Sequence, residues 1–223
     1  MKKTVKRLLV LLLAVSMTMV APVRADAKTI TDTTQVAILY PKSSPTYGDK
    51  QLVQYTKKVK AQSVKSSKKS VAAVSVGKDS GSKEYAIYVV PKKTGTTTVT
   101  YKLGKDKHKL KVIVRKYVNP FKKITINGKN ITSKFNKTNV CNLSYKQYKG
   151  KKVTITYKKK GNWKIMHADY FTKSDKLIKC HGTILPGDKK TIKITKKNSK
   201  LYFWIPDTMD KYEPAEECTI LFK

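Results

Sequence analysis

Short stretches in which apolar and polar residues alternate recur along most of the chain. Residues 98–103, 109–115 and 153–158 each place an apolar residue at every second position. A period of two puts alternate side chains on opposite faces of a β-strand. Residues 85–90 are apolar throughout, which favours a central strand buried on both faces. No stretch after residue 25 has the 3.6-residue apolar period of an amphipathic helix, so the pattern predicts an all-β chain.

Turn-forming sequences divide the predicted strands into two groups. Asn127-Gly128 lies between apolar stretches and predicts a tight hairpin turn, whose two central residues take positive φ angles. Pro186-Gly187-Asp188 predicts another turn. Residues 117–122 include Asn119-Pro120 and predict a short linker. We therefore expect two consecutive β-sandwich domains, one at residues 36–116 and one at residues 123–223.

The first of these regions carries two motifs of a known domain family. Ser66-Ser67 is followed by Ser-Val-Ala-Ala-Val at residues 70–74, and residues 94–99 read Thr-Gly-Thr-Thr-Thr-Val. On these motifs residues 36–116 resemble a bacterial immunoglobulin-like domain of group 2, with Lys68 where the family usually has Asn. The resemblance implies an immunoglobulin-like fold and a surface module, spacer or adhesive unit, and it identifies no ligand residue. The second region resembles companion domains in secreted proteins of gut Clostridia, and we expect it to be immunoglobulin-like as well.

Residues 1–25 predict a signal peptide. Residues 2–7 are rich in lysine and arginine, residues 8–20 are apolar but shorter than a comfortable bilayer span, and Ala25 and Ala27 are small enough for cleavage. A retained membrane anchor is the alternative. After cleavage we expect a flexible lead at residues 26–35 and no transmembrane segment. The protein would be secreted or associated with the cell surface of a Gram-positive, Clostridia-like bacterium.

The chain is strongly basic, and lysine supplies almost all of the positive charge. The full chain has a net charge of +35, and removal of residues 1–25 leaves 44 basic and 14 acidic residues, a net charge of +30. Arg115 is the only arginine after residue 25, whereas specific phosphate or base recognition favours the planar guanidinium group. We therefore expect no nucleic-acid partner. Diffuse attraction to an anionic cell-wall polymer or glycan is one interpretation, and a solvated lysine surface without a ligand is the other.

Three cysteines and two histidines supply the candidate chemistry of the second region. At most one disulfide can form among Cys141, Cys180 and Cys218, and the sequence allows all three pairings. His167, Cys180 and His181 have the residue types of a zinc site, with Cys218 as a further ligand, but they lack the usual Cys-x-x-Cys or His-x-x-x-His spacing. Cys180 and His167 would form a nucleophilic site with Asp169 only if all three converged, and no oxyanion-hole signature surrounds Cys180.

The acidic residues offer two further candidate sites. Residues 207–217 gather five of the eight acids after residue 116 and could bind calcium, but a solvated acidic loop beside lysines is the simpler interpretation. Glu84 and Asp169 are the acids within predicted strands that could promote a Lys–Asn cross-link, as found in some immunoglobulin-like surface proteins. Residues 185–188 resemble part of a sortase motif but lack its Thr-Gly ending, so we expect no covalent wall anchor.

These observations predict an exported, non-enzymatic surface or secreted protein that acts as a binding or adhesion module. Its partner would be an anionic cell-wall polymer, a glycan or a surface protein. We predict no catalytic residue, no cofactor and no metal site. Two alternatives stay open: a secreted enzyme or metal-binding module that uses His167, Cys180 and His181, and a structural spacer with no ligand.

Overall fold

The computed structural model of the protein describes residues 27–46, 48–79, 81–161, 167–174, 176–180, 182–206 and 215–223. Strands dominate these residues, and the all-β class that the alternation predicts is confirmed. The predicted signal peptide lies outside the described residues. No helix in the described part of the chain has the length and apolar character needed to cross a membrane.

The strands before residue 117 form two sheets that face each other. One sheet has the order β1-β8-β7-β4, with β2 also pairing with β8, and the other has the order β3-β6-β5. Both β1 and β2 run parallel to β8. The hydrophobic cluster between the sheets includes Ile87, Val99 and Leu110. The strands are β1 (Thr29–Thr31), β2 (Gln35–Leu39), β3 (Gln51–Lys57), β4 (Gln62–Ser66), β5 (Ala72–Lys78), β6 (Tyr85–Pro91), β7 (Gly95–Leu103) and β8 (Asp106–Lys116).

The strands after residue 120 form a second pair of sheets. Their orders are β10-β9-β12-β15 and β11-β17-β16-β13-β14. A second hydrophobic cluster, which includes Phe121 and Phe203, lies between them. The elements are β9 (Phe121–Ile126), β10 (Lys129–Asn130), a 3-10 helix (Thr132–Phe135), β11 (Val140–Leu143), helix α1 (Tyr145–Tyr148), β12 (Lys152–Lys159), β13 (His167–Phe171), β14 (Leu177–Cys180), β15 (Lys190–Lys193), β16 (Ser199–Pro206) and β17 (Ala215–Phe222).

Local sequence explains several of these elements. Asn127 and Gly128 have φ angles of 49° and 79° and connect β9 to β10, as the Asn-Gly pair predicts. The short helix α1 was not expected, because four residues are too few to show a helical period. The helix packs through Tyr148, whose ring meets that of Phe222 at a centroid distance of 5.9 Å. Within the expected flexible lead, Thr29–Thr31 forms an edge strand beside β8.

The segment between the two sheet pairs is packed rather than extended into solvent. Tyr117 and Phe121 are buried in the second hydrophobic cluster, and so are Ile38 and Tyr40 from the first sheet pair. A chain connection with buried aromatic residues loses freedom, because its movement would expose apolar surface to water. The division of the chain into domains at residues 117–122 stays a prediction, and the packing across this segment is a finding of its own.

Candidate functional site

The outer side of the first sheet carries a group of exposed lysines. Along β8, Leu110, Val112 and Val114 are buried, so residues at alternate positions face outward. The cross-strand register places outward residues of β4 and β7 beside them. We call the resulting group the first lysine face, and it consists of Lys65, Lys102, Lys107, Lys109 and Lys111.

Register brings like charges directly opposite each other on this face. Lys102 on β7 pairs with Lys107 on β8, which places their Cβ atoms about 5 Å apart. Thr100 lies opposite both Lys65 on β4 and Lys109 on β8, so this row reads lysine, threonine, lysine. Directly opposed like charges destabilise a sheet slightly unless a counterion or anionic ligand neutralises them.

The outer side of the β10-β9-β12-β15 sheet repeats this arrangement. Lys158 lies opposite Lys123, and Lys152 lies opposite Lys193. We call these four residues the second lysine face.

Threonines fill the space between the two lysine pairs of the second lysine face. The hydroxyl oxygens of Thr125 and Thr156 are 2.7 Å apart, and those of Thr154 and Thr191 are 3.3 Å apart. Lysine pairs thus flank a row of hydrogen-bonded hydroxyl groups. Within the described strands of this sheet there is no aspartate or glutamate.

Several carboxylates lie away from both faces. Asp32 is turned toward the first core, where its Oδ2 accepts a hydrogen bond of 2.6 Å from Tyr101 and its Oδ1 lies 3.1 Å from His108 Nδ1. Glu216 is 1% exposed and Glu217 follows it on β17. The faces therefore present positive charge without local neutralisation by these acids.

The second notable site is the junction where the first sheet pair meets the second. The rings of Tyr40 and Tyr117 pack at a centroid distance of 5.6 Å. The backbone N–H of Val118 donates a hydrogen bond of 3.1 Å to Glu216 Oε1, and that of Glu217 donates one of 3.2 Å to Tyr40 Oη. These contacts join β2, the connecting segment and β17.

Asn139 extends the junction on the other side of β17. Its Nδ2 donates a hydrogen bond of 2.9 Å to the carbonyl of Glu217. Its Oδ1 accepts hydrogen bonds from the hydroxyl groups of Ser44 and Thr46, which belong to the loop after β2. Because Asn139 is only 1% exposed, one buried amide holds together segments almost a hundred residues apart.

Desolvation shifts the pKa values of two carboxyl groups at the junction. Desolvation raises the pKa of Glu216 to about 8, although the hydrogen bond from Val118 opposes the shift. Desolvation also raises the pKa of Glu217. Glu216 Oε2 has no hydrogen-bond partner among the described residues. A carboxyl group that is largely protonated at neutral pH and closed to solvent suits a structural role better than cation binding.

The residues of the predicted zinc and nucleophile sites are only partly visible. Cys180 is exposed on β14 and lies opposite Asp169 of β13. His181 and the side chain of His167 lie outside the described residues, so their convergence stays untested. In the part of the chain that the structure describes, no three histidine, cysteine or acidic side chains form a group able to hold a metal ion.

All three cysteines are free thiols in the structure, so no pairing among Cys141, Cys180 and Cys218 is present. Cys141 and Cys218 are buried, and desolvation raises the pKa of both thiols. A raised pKa disfavours the reactive thiolate.

The interpretation of residues 207–217 as one solvated acidic loop is wrong at its C-terminal end. Strand β17 begins at Ala215, so Glu216 and Glu217 are strand residues. Glu216 is buried, whereas Glu217 remains exposed. Residues 207–214 lie outside the described residues. Tyr40, Tyr117 and Asn139 carry no local signal in the sequence, because each acts through a partner distant in sequence.

Comparison with known proteins adds little. No protein-family model and no curated protein matches the sequence. Among solved structures, domains 5–6 of the S-layer protein SbsC match at 15% identity over 86% of this chain and 95% of that chain, with a TM-score of 0.29. Fibronectin(III)-like modules of Clostridium thermocellum CbhA match at 14% identity over 92% of each chain, with a TM-score of 0.26. TM-scores this low carry no weight for function.

Proposed function

We propose that the protein is an exported, non-enzymatic surface module that binds an anionic polymer of the cell envelope through its two lysine faces. The observation that carries this proposal is the direct opposition of lysines on both faces, with threonines between them and no carboxylate at the outward positions of the strands that form the two faces. A flexible polyanion could neutralise several of these like-charge contacts at once.

The spacing of the lysines suits a linear polymer. Outward residues on one strand repeat at about 6.8 Å, and neighbouring strands are about 4.8 Å apart. Each face therefore offers a two-dimensional set of positive charges. Lysine side chains are long and strongly hydrated, so they favour charge attraction over recognition of one exact ligand geometry.

The remaining sequence predictions are compatible with a surface module. Residues 1–25 would direct export, residues 36–116 would be a group 2 immunoglobulin-like domain, and residues 123–223 would be a second immunoglobulin-like domain. Retention at the cell surface would be electrostatic. A neutral glycan or a surface protein is a less direct match, because neither requires paired lysines.

The test is binding of the mature protein, residues 26–223, to purified Gram-positive cell walls across a salt series. Affinity should fall steeply as salt rises, because screening weakens exposed charge interactions. Replacement of the five lysines of the first lysine face by glutamine should weaken binding by about tenfold or more at low salt. Replacement of both faces should abolish detectable binding.

A matched control has five exposed lysines outside both faces replaced by glutamine: Lys58, Lys69, Lys83, Lys93 and Lys149. This variant has the same net charge as the first-face variant, so it should retain most of the affinity. Equal losses in the two variants would overturn the role of the faces. Absence of binding at low salt would favour a spacer without a ligand.

A further inference from the structure

We infer that the first lysine face contains a discrete subsite for a phosphate group, and this inference rests on the proposed function. A depression of about 320 Å³ lies where β1, β4, β7 and β8 meet. Four of the five lysines of the face line it, namely Lys65, Lys102, Lys107 and Lys109. The other lining residues are Thr29, Ser63, Thr100, Tyr101 and His108. No acidic residue lines it, and Asp32 is hydrogen-bonded to Tyr101 and His108 behind it.

The backbone of β4 is irregular beside this depression. The pairing of β4 with β7 shifts register between Gln62 and Lys65, which marks an irregularity of the kind that re-aims side chains. Ser63 lies inside the irregularity with a φ of 52°, in the left-handed region that non-glycine residues rarely adopt. Ser63 also lines the depression, so a hydroxyl-bearing side chain lies beside the four lysines.

A partly buried polar cluster connects the strands that form the other side of the depression. Asp32, just after β1, accepts a hydrogen bond from Tyr101 of β7 and pairs with His108 of β8. The Tyr101 and His108 rings stack at a centroid distance of 4.9 Å. Asp32 therefore holds β1 against β8, in the register that sets Thr29 beside Lys107. The lining groups are thus held on a rigid frame.

The charge of the lining residues suits a phosphate monoester better than a carboxylate. Lysine ammonium groups bind phosphate oxygens as point charges, and a phosphate monoester carries about −1.5 to −2 charges at neutral pH against about −1 for a carboxylate. The depression is lined by four lysines and three residues with aliphatic hydroxyl groups. Its volume is at the small end for ligand sites, enough for one phosphate with a short polyol arm. The ligand class is therefore a small organic phosphate, either free or as a unit of a wall polymer.

The first experiment is titration of mature protein with glycerol 3-phosphate, followed by NMR, with glucuronate as the carboxylate control. Saturable shifts should centre on residues of the depression, and glucuronate should bind more weakly. The double variant K102Q/K107Q should lose at least about tenfold in affinity, because two charge-assisted contacts disappear. The matched control K152Q/K193Q removes an equally opposed pair from the second lysine face and should stay within about twofold of wild type.

A second variant separates the hydroxyl group from the backbone shape. Ser63→Gly accepts the positive φ angle without strain, so the fold should be retained while the hydroxyl is lost. We expect a several-fold loss of glycerol phosphate affinity with unchanged thermal unfolding. Unchanged affinity in both Ser63→Gly and K102Q/K107Q would overturn the subsite, as would equal binding of glucuronate.

Polymer measurements distinguish this inference from the proposed function. If the bound unit belongs to a wall polymer, soluble poly(glycerol phosphate) should bind more tightly than the monomer and compete with it. If only the free monomer binds and cell walls do not, the subsite is supported and the proposed function fails. If cell walls bind but K102Q/K107Q and K152Q/K193Q weaken them equally, the subsite fails and the proposed function stands.

Discussion

The charged groups of the lysine faces and those of the junction differ in their exposure to water. On the faces, positive charges stay in water and lie directly opposite one another. At the junction, the Glu216 carboxyl group is removed from water. Its Oε1 accepts a hydrogen bond from the neutral backbone N–H of Val118, and its Oε2 has no hydrogen-bond partner among the described residues. Water screens the lysine pairs, so each costs little, whereas an ionised buried carboxylate costs much more. Stability should therefore depend on the junction, and binding should depend on the faces.

Truncation of Tyr117 should cause the largest loss of stability. Tyr117→Ala removes a buried ring that packs on Tyr40, along with a hydrogen bond of 3.0 Å to the carbonyl of Phe135. We expect the free energy of unfolding to fall by about 3–5 kcal/mol, the usual range for a large buried aromatic residue. Urea unfolding measures this loss.

The variant Tyr117→Phe keeps the ring and removes only the hydroxyl group, so it should cost about 0.5–1.5 kcal/mol. If Tyr117→Ala were as stable as wild type, the junction would contribute nothing to the folded state.

The junction should also make stability depend on pH. The pKa of Glu216 rises from 4.5 to about 8 on folding, so the folded state holds a proton that the unfolded state has lost within this range. Stability from this group is full below pH 4.5 and declines as pH rises to about 8. Glu216→Gln keeps an acceptor for Val118 N–H and removes the titration. At alkaline pH we expect it to be more stable than wild type by about 1–3 kcal/mol.

Urea unfolding at acidic, neutral and alkaline pH tests whether stability declines as pH rises. Some slope should remain in Glu216→Gln, because burial raises the pKa of Glu217 in the same direction. Glu84→Gln removes a carboxylate outside the junction and should leave the wild-type pH profile in place. A profile for Glu216→Gln identical to that of wild type would rule out titration of this residue.

The smallest effect should come from a change in one lysine pair. Lys152→Glu places an opposite charge across from Lys193 and should raise the free energy of unfolding by about 0.2–1 kcal/mol at low salt. High salt should reduce the gain. Lys146→Glu alters an exposed lysine of α1 outside both faces and serves as the control. Equal effects from the two variants would indicate that net charge, not register, is responsible.

The outward position of most lysines on the two faces could be predicted from local sequence. The alternation within residues 109–115 already separates inward apolar residues from outward lysines. The hairpin between β7 and β8 fixes Lys102 opposite Lys107 through a short turn at Gly104 and Lys105. The contribution of Lys65 required the pairing of β4 with β7, which joins segments far apart in sequence, and no local pattern specifies that register.

The junction could not be predicted in this way. The five acids gathered at residues 207–217 indicate a solvated loop that would include Glu216 and Glu217. Pairing of β17 with β16 places both in a strand instead. Tyr40 and Asn139 carry no local signal, since each depends on a partner from another sheet or loop.

The sequence by itself determined the all-β class, the tight Asn127-Gly128 turn and the outward position of most lysines. These features follow from short-range physics: a period of two, the φ preferences of two residues and the preference of lysine for water. The tertiary structure alone decided which lysines oppose one another across distant strands and which carboxylates leave the solvent. Those outcomes depend on long-range register and on packing against the second hydrophobic cluster, where burial overrides the ordinary preference of glutamate for the surface.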